Sequence, residues 1–168
     1  MQQNTPLHCF FTLTVVVTLI LLFNTPAQAA GSVTVAWQGY DQAKKLAASS
    51  GKPILLHFYT DWCTYCKKMD QETFANRRVA AYMNENFVVT KVNSAKQSGL
   101  AEKYHVRSVP SNWFLKPDGT SINNLPGFIK PELFLWVLKY MSTNSYMFSS
   151  FEDYMKHNKV EDLLSNTK

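Results

Sequence analysis

Cys63 and Cys66 stand three positions apart, directly after the apolar run Ile54 to Tyr59 and directly before a segment of helical pattern. No other feature restricts the fold as much. A short, nearly continuous apolar run is what a central strand buried on both faces requires. A helix that starts at the first cysteine places that sulfur at a helix N-terminus, where unpaired backbone N–H groups and the helix dipole favour a thiolate. The second sulfur then lies one turn later, close enough to attack a mixed disulfide formed by the first. Cys63 is therefore the candidate nucleophile and Cys66 the candidate resolving thiol.

The chain has three cysteines in all. That number cannot build a disulfide scaffold, and it excludes four-cysteine zinc or iron–sulfur sites within one chain. Zinc on the pair would need two more ligands, and His57, His105 and His157 lack the spacing of a zinc site. A c-type haem would need His after Cys66, where Lys67 stands. No metal and no cofactor is expected. The net charge of +5 comes without a long basic run and gives no case for nucleic acid. At 46% hydrophobic and 17% charged residues the chain can bury a core, so a disordered chain is excluded.

Residues Cys9 to Phe23 form an apolar stretch of 15, followed by Ala27-Gln28-Ala29-Ala30. An apolar run of this length before A-x-A is the pattern of a secretory signal peptide, with cleavage expected after Ala29. No Lys or Arg precedes the run, which keeps an uncleaved anchor open, although spanning a bilayer takes about 20 apolar residues. Cleavage would remove Cys9 and leave Cys63 and Cys66 as the only cysteines, in an oxidising compartment. A disulfide between them would close almost no loop, so chemistry is a better reason for the pair than scaffolding. No stable membrane insertion is expected after cleavage.

Along the rest of the chain, Gly39 to Ser50 reads as a helix with Asp41 as N-cap, stopped by Gly51-Lys52-Pro53. A helix is expected from the cysteines through Met69, and another after an Asn76 cap, with Val79, Ala80, Tyr82 and Met83 inward. Phe87 to Val92 is a second buried-strand candidate, and Leu100 to Tyr104 a short helix. Trp113 to Leu115 and Ser121 to Leu125 flank Pro117-Asp118-Gly119 and read as an antiparallel hairpin. Pro131 opens a last core helix through Met141, with Leu133, Phe134, Val137 and Leu138 as its apolar face. The order β–α–β–α–β–β–α predicts an α/β domain, a mixed sheet with helices on both faces. Three segments follow: 1–29 as signal peptide, 30–141 as the domain, and 142–168 as a tail. Phe151, Tyr154 and Met155 suit one short amphipathic helix in that tail, packed back on the domain.

The segment Ile54-Leu55-Leu56-His57-Phe58-Tyr59-Thr60-Asp61-Trp62-Cys63-Thr64-Tyr65-Cys66-Lys67-Lys68 resembles the active-site segment of the thioredoxin superfamily. It is most similar to exported thioredoxin-like proteins, including the periplasmic C-terminal domain of the transmembrane thiol:disulfide interchange protein. The resemblance continues through Phe87 to Asn93, Tyr104 to Ser111, the Lys116-Pro117-Asp118-Gly119 turn and the helix from Pro131. It implies a thioredoxin fold over residues 36–141 and a redox-active Cys63–Cys66 disulfide. It also implies a cis Pro110 facing the sulfurs, backbone hydrogen bonds from Val109 to a substrate strand, and an exposed Trp62 beside the nucleophile. Six positions before the first cysteine, thioredoxins usually carry a buried aspartate that relays a proton for the second; here the residue is His57. Strand parity with Leu55 and Tyr59 puts His57 on one face, either as a proton relay or as a core histidine.

The activity implied is that of a periplasmic thiol–disulfide oxidoreductase acting on protein or peptide thiols and disulfides. Absence of a histidine between the cysteines argues against a strong oxidant, so reduction is the expected direction, with a membrane thiol electron donor as the partner that recharges the pair. A disulfide isomerase and a thioredoxin-fold adaptor without redox turnover are the alternatives.

Overall fold

The computed structural model describes residues 33–165, with side chains described as far as Asn158. The expected signal peptide and its cleavage site at Ala29 lie outside the described residues.

Helix α1 spans Tyr40–Ser50 and buries Ala43 and Ala47, whose small side chains bring the helix backbone close to the sheet. Its N-cap is Gly39, whose carbonyl accepts the Ala43 N–H, and not the expected Asp41. The helix starts two residues earlier than a cap at Asp41 would allow, so that carboxylate lies within the first turn, where it complements the dipole. Gly51 ends the helix in the left-handed conformation at φ 70°.

Strand β1 spans Ile54–Tyr59, as its apolar run predicts. Helix α2 spans Thr64–Lys68 and continues without a break into a π-helical turn, Met69–Phe74. The wider turn is a departure from the plain helix expected, and it buries Met69, Thr73 and Phe74 together. Helix α3 spans Arg77–Asn86. The Asn76 side chain accepts from the N–H groups of Arg78 and Val79 and satisfies two donors of its first turn. Strand β2 (Val88–Asn93), helix α4 (Ser98–Lys103), strands β3 (Ser111–Leu115) and β4 (Ser121–Pro126), and helix α5 (Pro131–Ser142) complete the domain.

The sheet order is β2-β1-β3-β4. β1 pairs parallel with β2 and antiparallel with β3, and β4 returns antiparallel as the far edge. One face carries Leu55, Val89 and Phe114 against Phe74, α3 and α5. The other carries Ile54, Leu56, Phe58, Val92 and Leu115 against α1 and α4. Phe58, Phe114 and Phe134 are fully buried, each stabilising the fold by about 1.5–3 kcal/mol relative to exposure.

In α5, Phe134, Val137, Leu138 and Met141 form the buried stripe, while Leu133 is 45% exposed. Leu133 lies one position off that stripe, so the helical rotation turns it outward. The tail holds a longer helix than expected, α6, spanning Phe151–Ser165. Phe151 and Tyr154 pack on the core, with both rings against Tyr140. The Tyr140 hydroxyl also donates to the Ser149 carbonyl at 2.6 Å.

Candidate active site

Strand β1 ends at Tyr59, and a turn closed by the Cys63 N–H on the Thr60 carbonyl delivers the chain to α2. Cys63 is the N-cap of that helix, and its Sγ accepts the Cys66 N–H at 3.0 Å. This is the sulfur position that the sequence spacing requires. Cys66 lies one turn on and is 1% exposed, whereas Cys63 is half-buried. The two form a disulfide with a Cα–Cα distance of 5.2 Å. The mouth is apolar and open: Trp62 is 71% exposed and Tyr65 62%. Trp62 thus stands next to Cys63 with its side chain outward, not on the core. Asp61 pairs at the surface with Lys96 at 2.9 Å, and that hydrogen bond raises the Lys96 pKa.

The Val109–Pro110 bond is cis, as the resemblance implied. Ser111, the next residue, pairs with Phe58 near the end of β1. That register places the Pro110 loop at the sheet end where the cysteine turn begins. Residues 127–129 tie the two together. The Gly127 N–H donates to the Pro110 carbonyl at 2.7 Å, the Lys68 ammonium lies 4.8 Å from the Phe128 ring centroid, and Thr73 Oγ1 donates to the Ile129 carbonyl at 2.6 Å.

His57 is fully buried on the sheet face covered by the π-helical turn. Register puts it between Lys91 of β2 and Asn112 of β3, which gives a polar row across three strands. Its ring meets Phe74 edge-on at 4.9 Å between centroids and stacks near Tyr59. Burial lowers its pKa from 6.5 to about 4, with the Lys91 charge pushing the same way; the Asn112 hydrogen bond and Asp70 oppose this. Lys91 forms a two-oxygen ion pair with Asp70, at 2.6 and 2.8 Å.

Sequence reading identified Cys63, Cys66, Trp62, Val109, Pro110 and His57. The structure brings the first five to one end of the sheet and sets His57 inside it. Asn112 and the Asp70–Lys91 pair were not found, because strand register decides their placement. The sequence signal for Lys91 and Asn112 is polarity at inward positions of β2 and β3, and Asp70, in the π-helical turn, carries none. Among the described residues no cluster of His, Cys, Asp and Glu could hold a metal ion, and no helix is long and apolar enough to cross a membrane.

Residues 40–142 match the thioredoxin-like domain family. The chain is 33% identical over 89 residues to the thiol:disulfide interchange protein DsbD of Photorhabdus laumondii, covering 51% of this chain and 15% of that protein. It is 34% identical over 89 residues to the thiol:disulfide interchange protein DsbD 1 of Pseudomonas aeruginosa, again covering 51% and 15%. The chain thus spans about 15% of the length of these curated relatives. Among solved structures, a thioredoxin from Thermus thermophilus superposes with a TM-score of 0.58 at 26% identity, covering 63% of this chain and 85% of that one.

Proposed function

The chain belongs to the thioredoxin-like domain family, its cysteine pair has the chemistry of a thiol–disulfide oxidoreductase, and we propose that it works as an exported reductase of protein and peptide disulfides. One observation carries this reading. Cys63 caps a helix and is partly exposed, while Cys66 is buried one turn behind it and joined to it.

In the proposed cycle the Cys63 thiolate attacks a substrate disulfide and forms a mixed disulfide, releasing the first substrate sulfur. Cys66 loses its proton and attacks Cys63. The Cys63–Cys66 bond forms, the bond from Cys63 to substrate breaks, and the second substrate sulfur leaves and takes up a proton. Two electrons pass from the dithiol to the substrate, and a thiol donor, expected at the membrane, restores the pair. Trp62 and the Val109–Pro110 segment flank the nucleophile and hold the substrate strand.

His57 had two roles open to it, proton relay and core histidine. A thiol of ordinary pKa, about 8.5, giving its proton to an imidazole near 4 goes uphill by about 6 kcal/mol. Ionising that thiol into bulk solution held at pH 7 costs only about 2 kcal/mol. The comparison supports the core role, with the Cys66 proton released to solvent. Export rests on the apolar run before Ala27-Gln28-Ala29.

The test is a pair of variants offered a peptide disulfide. Cys66→Ser should accumulate the mixed disulfide, and Cys63→Ser should release no thiol at all. A Cys63→Ser protein that keeps its effect on a partner would favour the adaptor. A reduction potential near the thioredoxin value of about −270 mV fits a reductase, and one near about −120 mV an oxidant.

A further inference from the structure

On the sheet face opposite the π-helical turn, the 105–108 segment and the β3–β4 pair enclose a hollow of about 370 Å³. Ser111 and Trp113 line it from β3, and Asn124 and Pro126 from β4. These four are cross-strand partners, Ser111 with Pro126 and Trp113 with Asn124, so they share one face of the hairpin. His105 leaves α4 with left-handed backbone, φ 48°, and the chain then runs through Arg107 along the hollow to the cis bond.

Two properties of this hollow point to a guest. The first is its place. Ser111 adjoins Pro110, and its register with Phe58 sets it at the sheet end where the cysteine turn begins. A chain that meets Cys63 and runs along Val109 reaches the hollow next. The second is its charge. Arg107 is exposed and lines the hollow, and among the described residues no acidic side chain does. Arg107 also borders a neighbouring hollow shared with Glu102. Among the described residues, however, the ion pairs found are Lys68–Glu72, Lys91–Asp70, Lys96–Asp61 and Lys156–Glu152, and none of them engages Arg107. The guanidinium therefore presents a planar fork of donors with no carboxylate of its own.

We infer that this hollow is a specificity site: Arg107 receives an acidic side chain lying a few residues from the reacting cysteine of an extended substrate, with Trp113 as the apolar wall. The inference deepens the oxidoreductase reading and rests on it for the direction of the bound chain. An ion pair at such an open site gives a modest preference, about 2- to 5-fold, and it weakens as salt is added.

The experiment separates binding from turnover. Two extended peptides differ only in Glu or Gln at the tested position, with Ser in place of the reactive Cys, and bind the disulfide form of the protein. Amide and indole NMR shifts of Arg107 and Trp113 report occupancy. The Glu peptide should bind about 2- to 5-fold more tightly and shift both residues. Arg107→Ala should bring the ratio to one, and Arg107→Glu should reverse it in favour of a Lys peptide. Equal binding of the Glu and Gln peptides, or a ratio unmoved by Arg107→Ala, overturns the inference. The cysteine forms of the same peptides, as disulfides, then give kcat/KM. Turnover without discrimination in binding leaves the oxidoreductase reading standing and the inference overturned. Discrimination in binding without turnover does the reverse.

Discussion

His57 Nδ1 lies 2.8 Å from Asn112 Oδ1, and the contacts of the Asn112 amide nitrogen fix the orientation in which the oxygen faces the ring. Asn112 Nδ2 faces the Leu125 carbonyl at 3.4 Å and Met69 Sδ at 3.8 Å, so its N–H groups are directed away from the ring. Oδ1 is left to accept, and His57 carries its proton on Nδ1. The unprotonated nitrogen is Nε2, which is buried and has no hydrogen-bond partner among the described residues.

A neutral buried histidine makes stability depend on pH. The unfolded chain binds a proton at His57 below about 6.5, and the folded chain does so only near 4. The stabilisation is therefore complete above pH 6.5 and is lost as pH falls through that window, by up to about 3 kcal/mol. His57→Gln keeps an amide for Asn112 but does not titrate. Urea unfolding at pH 7, 6, 5 and 4 should show a shallower loss for His57→Gln than for the native chain. Parallel curves would mean that His57 is charged or solvated in the folded state.

The same lowered basicity limits the part of His57 in resolution. With its pKa near 4, His57 is too weak a base to match general-base work at pH 7, so His57→Gln should slow release of the mixed disulfide by less than about 3-fold, against the 10² or more expected when an effective general base is removed. Single-turnover stopped flow, with attack by Cys63 and release by Cys66 followed separately, measures both steps. A 10²-fold loss confined to the release step would restore His57 as the relay.

What the sequence made legible was local. The β1 run, the Asn76 cap, the Pro117-Asp118-Gly119 turn and Pro131 at a helix start each carry their signal within a few residues, and each stands where expected. The cysteine pair belongs with them, because a strand end and a helix start suffice to place it. The surroundings of His57 do not. They depend on β1 pairing with β2 at Lys91 and with β3 at Asn112, contacts 34 and 55 residues away in sequence. Parity predicted the face of His57 but not its neighbours. The π-helical turn and the length of α6 were also missed, since both follow from what the chain packs against.

Asn76 supports the helix behind the site. Its side-chain oxygen satisfies the N–H groups of Arg78 and Val79. Asn76→Ala leaves both to water and should destabilise the chain by about 1 kcal/mol, read as a lower midpoint in urea with an unchanged slope. Asn76→Asp keeps the oxygen and adds a charge favourable to the helix N-terminus, so it should restore the midpoint. Failure of Asn76→Asp to do so would mean that the amide, and not the cap, is what matters there.

The tail beyond residue 142 lies outside the family match, yet its packing makes it part of the fold. Phe151 and Tyr154 set their rings 5.3 and 5.2 Å from that of Tyr140, and Tyr154 also lies 6.4 Å from Trp136. Both α5 residues belong to the layer that covers the sheet. Phe151 is half-buried, so truncation should cost less than the 3–5 kcal/mol typical of a core phenylalanine, about 1–3 kcal/mol. The cysteine pair sits on a different helix and at the end of the sheet set by β1. Phe151→Ala should therefore lower the urea midpoint while leaving kcat/KM for a peptide disulfide within about 2-fold at temperatures where both proteins are folded. An unchanged midpoint would show that the tail rests on the domain without stabilising it. A large loss of turnover in a fully folded variant would show that α6 reaches the substrate path.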